Sequence, residues 1–202
     1  MNILEGTDVI VSEPFPLQEL PSAVQWTYCY KTLFFSDQGP KTNDEIQAHL
    51  KSTLELPNVR SWAIIDKNNL TNVKNTIPIV GLIYFERSNS QNGYCHITTH
   101  RRAWGNIVEY EGTKKLLSDF KKETAPTVLL PGLAEQAGRL IIDDIFKNDD
   151  ILLRMSIATL AANKAACNFA ARLGFKRDGY FANMVTVKGK PSALAHMGLL
   201  RG

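Results

Sequence analysis

The clearest pattern of apolar and polar positions lies in the last quarter of the chain. Residues 151–158 (ILLRMSIA) are mostly aliphatic, and a short aliphatic run of this kind predicts a buried strand. Asn163 stands where it can cap a following helix, and Gly174 stands where a left-handed residue can end it. The pattern therefore predicts a strand, a capped helix and a return to the core at Phe175. Between the two ends, apolar residues recur at helical spacing on one face: Ala166, Phe169, Ala170 and Leu173.

The first hundred residues predict a strand, two helices and then three more strands. Residues 8–11 can form the first strand, and apolar positions within residues 23–34 form an approximate helical stripe. Residues 42–45 (TNDE) match a capping box at the start of the second helix. Asn92-Gly93 predicts the turn of a hairpin between the last two strands. The three later strands are predicted at residues 62–65, 77–85 and 94–99.

Between residues 100 and 150 the periodicity becomes helical. Leu116, Leu117 and Phe120 predict one helix, and a longer stripe within residues 133–145 predicts another. No internal repeat or linker interrupts the chain, so we expect a single domain over residues 1–202.

Composition narrows the class of protein. The chain is 44% hydrophobic and 21% charged, which is typical of a globular protein, and it has no apolar run long enough to predict a membrane span. The N-terminus lacks the basic lead-in of a signal peptide. A net charge of +3 is too small to predict a dedicated nucleic-acid binder. Cys29, Cys95 and Cys167 are widely separated, so we expect a reducing cytoplasm and no metal site.

The segment 163–175 resembles the late motif of the GCN5-related N-acetyltransferase (GNAT) superfamily, in which an asparagine and an alanine precede Leu-Gly-Phe. Asn163, Ala166 and Leu173-Gly174-Phe175 fall in register with it, and the chain after it resembles the closing hairpin of the ribosomal-protein-acetylating branch. The resemblance implies an α/β, acyl-CoA N-acyltransferase-like fold with a mostly antiparallel mixed sheet of about seven strands flanked by helices. Residues 121–132 then look like an extra helical segment inserted between the fourth and fifth strands.

The resemblance also implies that acetyl-CoA is a co-substrate, whose pyrophosphate would lie on backbone amides at a helix N-terminus. Arg102 and Gly105 match the family's loop after its fourth strand, Asn106 follows, and Ile107 replaces the usual small residue. A simple turn with surface arginines is the alternative. Residues 130–134 form a competing loop with the spacing Gly-x-Ala, although they lack the arginine.

Further site residues are implied by the same resemblance. Asn163 is expected to contact the pantetheine arm or a catalytic water in addition to capping its helix. Phe169 is a candidate for the cofactor wall, although a core position fits it better. The oxygen of the thioester is expected to be polarised by a backbone N–H on the fourth strand, near Ile97, Thr98 and Thr99.

Proton transfer has several candidate groups. An amine is largely protonated at pH 7, so a base or a water relay must take up its proton before attack. His96 and Glu111 are candidate bases, although a structural histidine and a charge at a helix start are simpler interpretations. Ala170 occupies the position of the family's usual tyrosine acid, which leaves Tyr180 or water to protonate the departing thiolate.

We therefore predict an acetyl-CoA-dependent N-acetyltransferase, monomeric or homodimeric, that transfers the acetyl group by direct attack of a primary amine on a protein or a small molecule. Two alternatives stay open. The departures at Ile107 and Ala170 would suit a catalytically degenerate module that binds a partner protein. The mild positive charge would suit a bacteriophage-type modifier of nucleic-acid bases.

Overall fold

A computed structural model describes residues 2–29, 39–40, 42–69, 79–100, 103, 107–110, 113–116 and 129–202. Side chains are described for all of these except residues 27–29, 69, 107–110, 113–116 and 129–130.

Eleven strands in the described residues form two sheets. They are β1 (Asn2–Glu5), β2 (Val9–Glu13), β3 (Val59–Asp66), β4 (Ile79–Arg87), β5 (Asn92–Thr99), β6 (Ile107–Tyr110), β7 (Thr113–Leu116), β8 (Leu129–Leu130), β9 (Arg154–Leu160), β10 (Lys176–Val187) and β11 (Lys190–Leu200). The main sheet has eight strands in the order β1-β2-β3-β4-β5-β9-β11-β10, and the small sheet has the order β7-β6-β8. Within the main sheet, β5 and β9 form the parallel pair, and the other pairs are antiparallel.

Four α-helices are described: α1 (Leu20–Cys29), α2 (Asn43–Leu54), α3 (Leu133–Asn148) and α4 (Lys164–Arg172). The predicted capping box of α2 is confirmed, because Thr42 and Glu45 each accept the other's backbone N–H. The predicted cap of α4 is also present, since Asn163 Oδ1 accepts the N–H of Ala166 at 3.1 Å. None of the described helices is long and apolar enough to cross a membrane.

The helices cover opposite faces of the main sheet. On the first face, which we call the α3/α4 face, buried residues of α3 and α4 join the larger core cluster with Trp62 and Ile64 of β3. On the second face, the α1/α2 face, residues of α1 and α2 pack against Ala63 and Leu82. Each fully buried aliphatic side chain contributes about 1.5–3 kcal/mol relative to an exposed one, so both faces hold the sheet in place.

The two central strands separate after a short contact. β5 and β9 are paired over three residue pairs, of which Tyr94 with Ser156 is the last. The next five residues of β5 pair with β4, and the end of β9 pairs with β11. The main sheet therefore opens along the line between β5 and β9.

Two sequence predictions about local structure are wrong. Asn92-Gly93 does not form the hairpin tip; it begins β5, and Gly93 pairs with Arg87. The turn lies just before it, where Asn89 Oδ1 accepts two backbone N–H groups. Gly93 is needed for close packing, since a Cβ there would collide with the Phe85 ring.

The second correction concerns the helix predicted around Leu116. In the structure Leu116 ends β7 and pairs with Ile107 of β6, so the chain forms a strand hairpin there. Leu117 and Phe120 lie outside the described residues, as do residues 121–128 of the predicted extra helical segment at 121–132. Its described part is not helical, because Leu129 and Leu130 form β8, which pairs with β6, and Gly132 caps α3. The pairing between strands is a non-local interaction, which a single-strand pattern does not reveal.

Candidate active site

A cleft of about 650 Å³ lies where β5 and β9 separate. Its walls come from both strands, and it reaches both faces of the main sheet. On the α3/α4 face it is lined by Ala134, Asn163 and Phe169. On the α1/α2 face it is lined by aromatic and apolar residues: Trp26, Ile46, His49, Leu50, Tyr84 and His96. Residues from both faces of the sheet therefore contribute to one cleft.

Asn163 brings an unpaired donor to this cleft. Its Oδ1 is used by the cap of α4, whereas its Nδ2 is buried and has no hydrogen-bond partner in the described part of the chain. A buried polar group without a partner costs about 1–3 kcal/mol. A bound carbonyl oxygen would satisfy this donor, so Asn163 fits a ligand that carries amide groups.

The backbone of β5 presents amides to the cleft. The Ser88 N–H donates to the Asn92 oxygen, and the His100 N–H donates to the Val80 oxygen. Even-numbered residues of β5 therefore turn their backbone groups toward β4. Alternate residues of an antiparallel strand point the opposite way, so the backbone of Ile97 faces the side from which β9 has withdrawn. That N–H is suited to bind an oxygen placed in the cleft.

The N-terminus of α3 opens on the same cleft. Its cap residue, Gly132, provides no side chain for the first N–H groups, and Ala134 in the first turn lines the cleft. Glu135 is buried but is paired with Arg139 at 2.9 Å and with Arg172 at 2.8 Å. Burial raises the pKa of Glu135, but hydrogen bonds and charges from both arginines outweigh it and lower the pKa overall. The first turn has no side-chain cap, and Glu135 with its two arginines carries a net positive charge, so this helix end suits an anionic ligand.

Tyr84 and His96 form a stacked pair on the α1/α2 face of the cleft, with ring centroids 4.5 Å apart and planes inclined by 9°. Desolvation by the surrounding protein, with a smaller contribution from His49, lowers the pKa of His96 to about 4, although the ring is exposed within the cleft. Desolvation and the nearby Glu86 raise the pKa of Tyr84 to about 12. Both side chains are therefore neutral at pH 7.

The structure brings several of the predicted site residues together. The predicted residues of β5 and α4 all line the cleft: His96, Ile97, Thr98, Thr99, Asn163 and Phe169. Phe169 also packs against the larger core cluster, so its wall and core interpretations are compatible.

Other predicted residues lie elsewhere. Tyr180 is on β10 with 63% of its surface exposed, and it is not among the residues that line the cleft. Ile107 is the first residue of β6. The predicted phosphate loop at residues 102–107 is therefore followed by strands in the described residues 107–110 and 113–116, and not by the helix that the prediction requires. The remaining candidates fall outside the described residues: Arg102, Gly105, Asn106 and Glu111.

One polar pair near the cleft was not predicted from the sequence. His196 Nδ1 lies 2.8 Å from Asp178 Oδ1, on the two strands of the closing hairpin. Counting residues back from the hairpin turn could have paired the two strands. It could not have paired these two residues, because the register shifts by one residue at Asp178 and the sequence does not signal that shift. Among the described residues, no group of histidine, cysteine or acidic side chains is arranged to hold a metal ion.

Comparison with solved structures identifies the architecture. A GNAT-family acetyltransferase from Bacillus anthracis superimposes with a TM-score of 0.66 at 11% identity, covering 98% of each chain. The chain has the GNAT fold. A ribosomal L7/L12 α-N-protein acetyltransferase (RimL) in complex with coenzyme A superimposes with a TM-score of 0.65 at 13% identity, again over 98% of each chain. A spermidine N-acetyltransferase (SpeG) from Vibrio cholerae gives 0.64 at 11% identity, over 96% of this chain and 95% of that one.

Comparison of the sequence with known families and proteins finds no relative. No protein-family profile matches the chain, and no curated protein matches it. The likeness is therefore one of fold.

Proposed function

We propose that the protein is an N-acetyltransferase that moves an acetyl group from acetyl-CoA to a primary amine by direct attack. The observation that carries the proposal is the opening between β5 and β9 beside Asn163, whose buried Nδ2 has no partner in the described residues. Acetyl-CoA has a long, narrow arm that matches the shape of this opening. The amide groups of the arm carry carbonyl oxygens that can accept a hydrogen bond from Asn163 Nδ2.

The residues of the cleft have the chemistry to bind acetyl-CoA. The pantetheine arm would lie between β5 and β9, with one of its carbonyl oxygens accepting from Asn163 Nδ2. The pyrophosphate would bind at the first turn of α3, where amides without a side-chain cap stand near Arg172. We therefore place the phosphate loop at residues 130–134, because they lead directly into a helix that opens on the cleft.

Direct attack fits the groups at the thioester position. The Ile97 N–H would polarise the thioester oxygen and stabilise the negative charge that develops on it. Cys95 also lines the cleft, but burial raises the pKa of its thiol to about 12. A thiol that stays protonated is a poor nucleophile, so an acetyl-cysteine intermediate is not favoured. The amine itself would attack the thioester carbon and release the thiolate of coenzyme A.

The lining of the cleft favours one kind of acceptor. Two of the structural neighbours are named for a protein α-amine and for spermidine as acceptors. The described residues that line this cleft include no aspartate or glutamate, so a polycation would find no carboxylates there. Aromatic rings on the α1/α2 face suit the first residues of a peptide. We propose a protein or peptide amine as the acceptor.

The proposal is tested by ligand binding and then by transfer. Acetyl-CoA at about 100 times its dissociation constant should stabilise the folded state by about 2.7 kcal/mol and raise the melting temperature. The purified protein should then acetylate a peptide with a free α-amine faster than spermidine. No change in melting temperature at millimolar acetyl-CoA would refute the proposal and would favour a module that binds a partner protein. Transfer to neither amine, despite binding, would refute the proposed reaction.

A further inference from the structure

A polar network crosses three strands on the α1/α2 face, next to the cleft. His196 of β11 pairs with Asp178 of β10, and Asp178 also pairs with Arg154 of β9. Arg154 Nε donates to Ser156 Oγ at 3.1 Å. Gly198 makes room for the crossing, since a Cβ there would lie 2.5 Å from Arg154 Nη2 and 2.6 Å from Asp178 Oδ2. Ion pairs on an open sheet face contribute little to stability, so stability is a weak explanation of this arrangement.

Asp178 is the extra residue of a β-bulge. Arg177 pairs with Met197, and Gly179 pairs with His196, so Asp178 has no partner of its own in the ladder. A bulge redirects a side chain, and bulges are over-represented beside active sites. Here the bulge allows the carboxylate of Asp178 to reach the imidazole of His196.

His196 borders the end of the cleft where the two strands begin to separate. It is the cross-strand neighbour of Ala158, which lines the cleft. The ring of Tyr94 meets the His196 ring edge-on at 6.0 Å, and Tyr94 is the last residue of β5 that pairs with β9. Tyr94 and His96 are two positions apart on β5, so they share a face of the sheet. His196 therefore stands on the same face as the aromatic side of the cleft.

We propose that His196, oriented by Asp178, accepts the proton that an ammonium acceptor must lose before it attacks the thioester. This inference rests on the proposed acetyltransferase function and names the base of that reaction. The Asp178 carboxylate accepts a hydrogen bond from Nδ1–H, which leaves the lone pair on Nε2. Nε2 has no hydrogen-bond partner among the residues that the structure describes. Asp178 is a positioning residue in this scheme.

The charges around the pair support its role. Partial burial raises the pKa of Asp178, but hydrogen bonds and charges from His196 and Arg154 lower it overall, so the group is a carboxylate at neutral pH. This carboxylate holds the imidazole through Nδ1–H, which keeps Nε2 as the proton-accepting atom of the ring. The cleft histidine, His96, is a weaker candidate because its surroundings disfavour its protonated form.

The step balances in protons and bonds. One proton passes from the ammonium nitrogen to His196 Nε2 and then to solvent. The freed lone pair forms a C–N bond to the thioester carbon, and the C–S bond breaks. A second proton leaves the nitrogen and ends on the thiolate, so the products are an amide and the free thiol of coenzyme A.

The test uses the full chain with the amine that it acetylates in the assay above. At about pH 6.5, where the amine is mostly protonated, His196→Gln and Asp178→Asn should each lower kcat/KM about 100-fold. The defect should shrink at about pH 9.5, because a larger fraction of the amine is already neutral. Besides Asp178, Arg154 and Tyr94 are the titratable or charged groups that face His196 in the described residues, so Arg154→Lys is assayed in parallel to separate their effects.

Controls make the outcomes distinct. Asp143→Asn removes an exposed carboxylate in the C-terminal half of α3, on the opposite face of the sheet from His196, and should leave kcat/KM unchanged at both pH values. Each variant should keep the rise in melting temperature with acetyl-CoA, which shows that the fold and the cofactor site are intact. If His196→Gln does not fold, Asp178→Asn and its rescue by Asp178→Glu decide the question.

The inference is overturned if folded variants keep the wild-type rate at the lower pH, or if the defect is equal at both pH values. A wild-type protein that acetylates no amine overturns the proposed function itself. Those two results cannot be confused, because the first requires an active wild type.

Discussion

Tyr94 and Ser156 form the last residue pair between β5 and β9, and the main sheet opens immediately beyond them. Because β5 stays on β4 and β9 stays on β11, the opening is held from both sides by antiparallel ladders. The cleft is therefore a property of the sheet itself. A ligand in it would contact the backbone of β5 and the cap of α4 at once.

Filling the cleft should abolish acetyl-CoA binding without unfolding the protein. Ala158 is exposed and lines the cleft just past the point of separation, so Ala158→Phe should place a ring in the path of the pantetheine arm. We expect the rise in melting temperature with acetyl-CoA to disappear. Ala162→Phe is the matched control, since Ala162 is exposed in the turn before α4 and does not line the cleft. Unchanged binding by Ala158→Phe would show that the ligand does not use this cleft.

The two roles of Asn163 can be separated by substitution. Asn163→Asp keeps an oxygen that caps α4 but loses the Nδ2 donor, so the variant should fold normally. Its affinity for acetyl-CoA should fall about 10-fold, which corresponds to the loss of one hydrogen bond of about 1.4 kcal/mol. Asn163→Ala should lose both functions.

Thr42→Ala is the matched control for the two Asn163 variants. It removes the cap of α2 and should cost about 1 kcal/mol of unfolding free energy with no change in acetyl-CoA affinity. Calorimetric titration and chemical unfolding measure the two quantities separately. Equal affinities for wild type and Asn163→Asp would mean that Nδ2 makes no contact with the ligand.

Much of the fold could be predicted from local signals, because those signals coincide with the final elements. The aliphatic run at residues 151–158 overlaps β9, which starts at Arg154 and leaves Ile151 and Leu153 exposed before it. The helical stripe after Asn163 became α4, and the capping box at Thr42 begins α2. Each of these depends on neighbours within a few positions in the sequence. The GNAT resemblance of residues 163–175 then agrees with the fold found by comparison of structures.

The missed features depend on distant partners. Leu116 joins a strand because Ile107 lies opposite it, and Gly93 lies inside a strand because Phe85 needs the space that a side chain would fill. Asp178 reaches His196 through a bulge that shifts the ladder by one residue. A pattern of apolar and polar positions contains none of this information, since it describes one strand at a time.

His96 should give the protein a measurable acid sensitivity. Its pKa is lowered to about 4 in the folded state from an unfolded value of 6.5, so the unfolded state binds more protons between these values. The contribution of His96 to stability is therefore complete above about pH 6.5 and is lost as the pH falls toward 4.

His96→Gln removes the titrating group and should flatten this part of the stability curve. Unfolding free energies of wild type and variant, measured from pH 7 to pH 4, test this. An NMR titration that places the His96 pKa at or above 6.5 would contradict the expectation.

The position of the phosphate loop predicts different effects for two arginines. Arg172→Gln removes one of the two arginines that are paired with Glu135 and leaves Arg139. The first turn of α3 then carries less positive charge, so the affinity for acetyl-CoA should fall severalfold. The loss should be larger at low salt, where charges are less screened. Arg102→Gln should change the affinity little if the loop at residues 130–134 holds the pyrophosphate. Titrations at two salt concentrations compare them. The reverse order of effects would assign the pyrophosphate to the loop that contains Arg102.

A crystal structure of the protein grown with coenzyme A tests the central claim most directly. We expect the pantetheine arm to lie between β5 and β9, with its thiol near the Ile97 amide and a carbonyl oxygen on Asn163 Nδ2. The pyrophosphate should lie at the N-terminus of α3. Coenzyme A bound at any other place, or a cleft that stays empty at millimolar coenzyme A, would contradict the account.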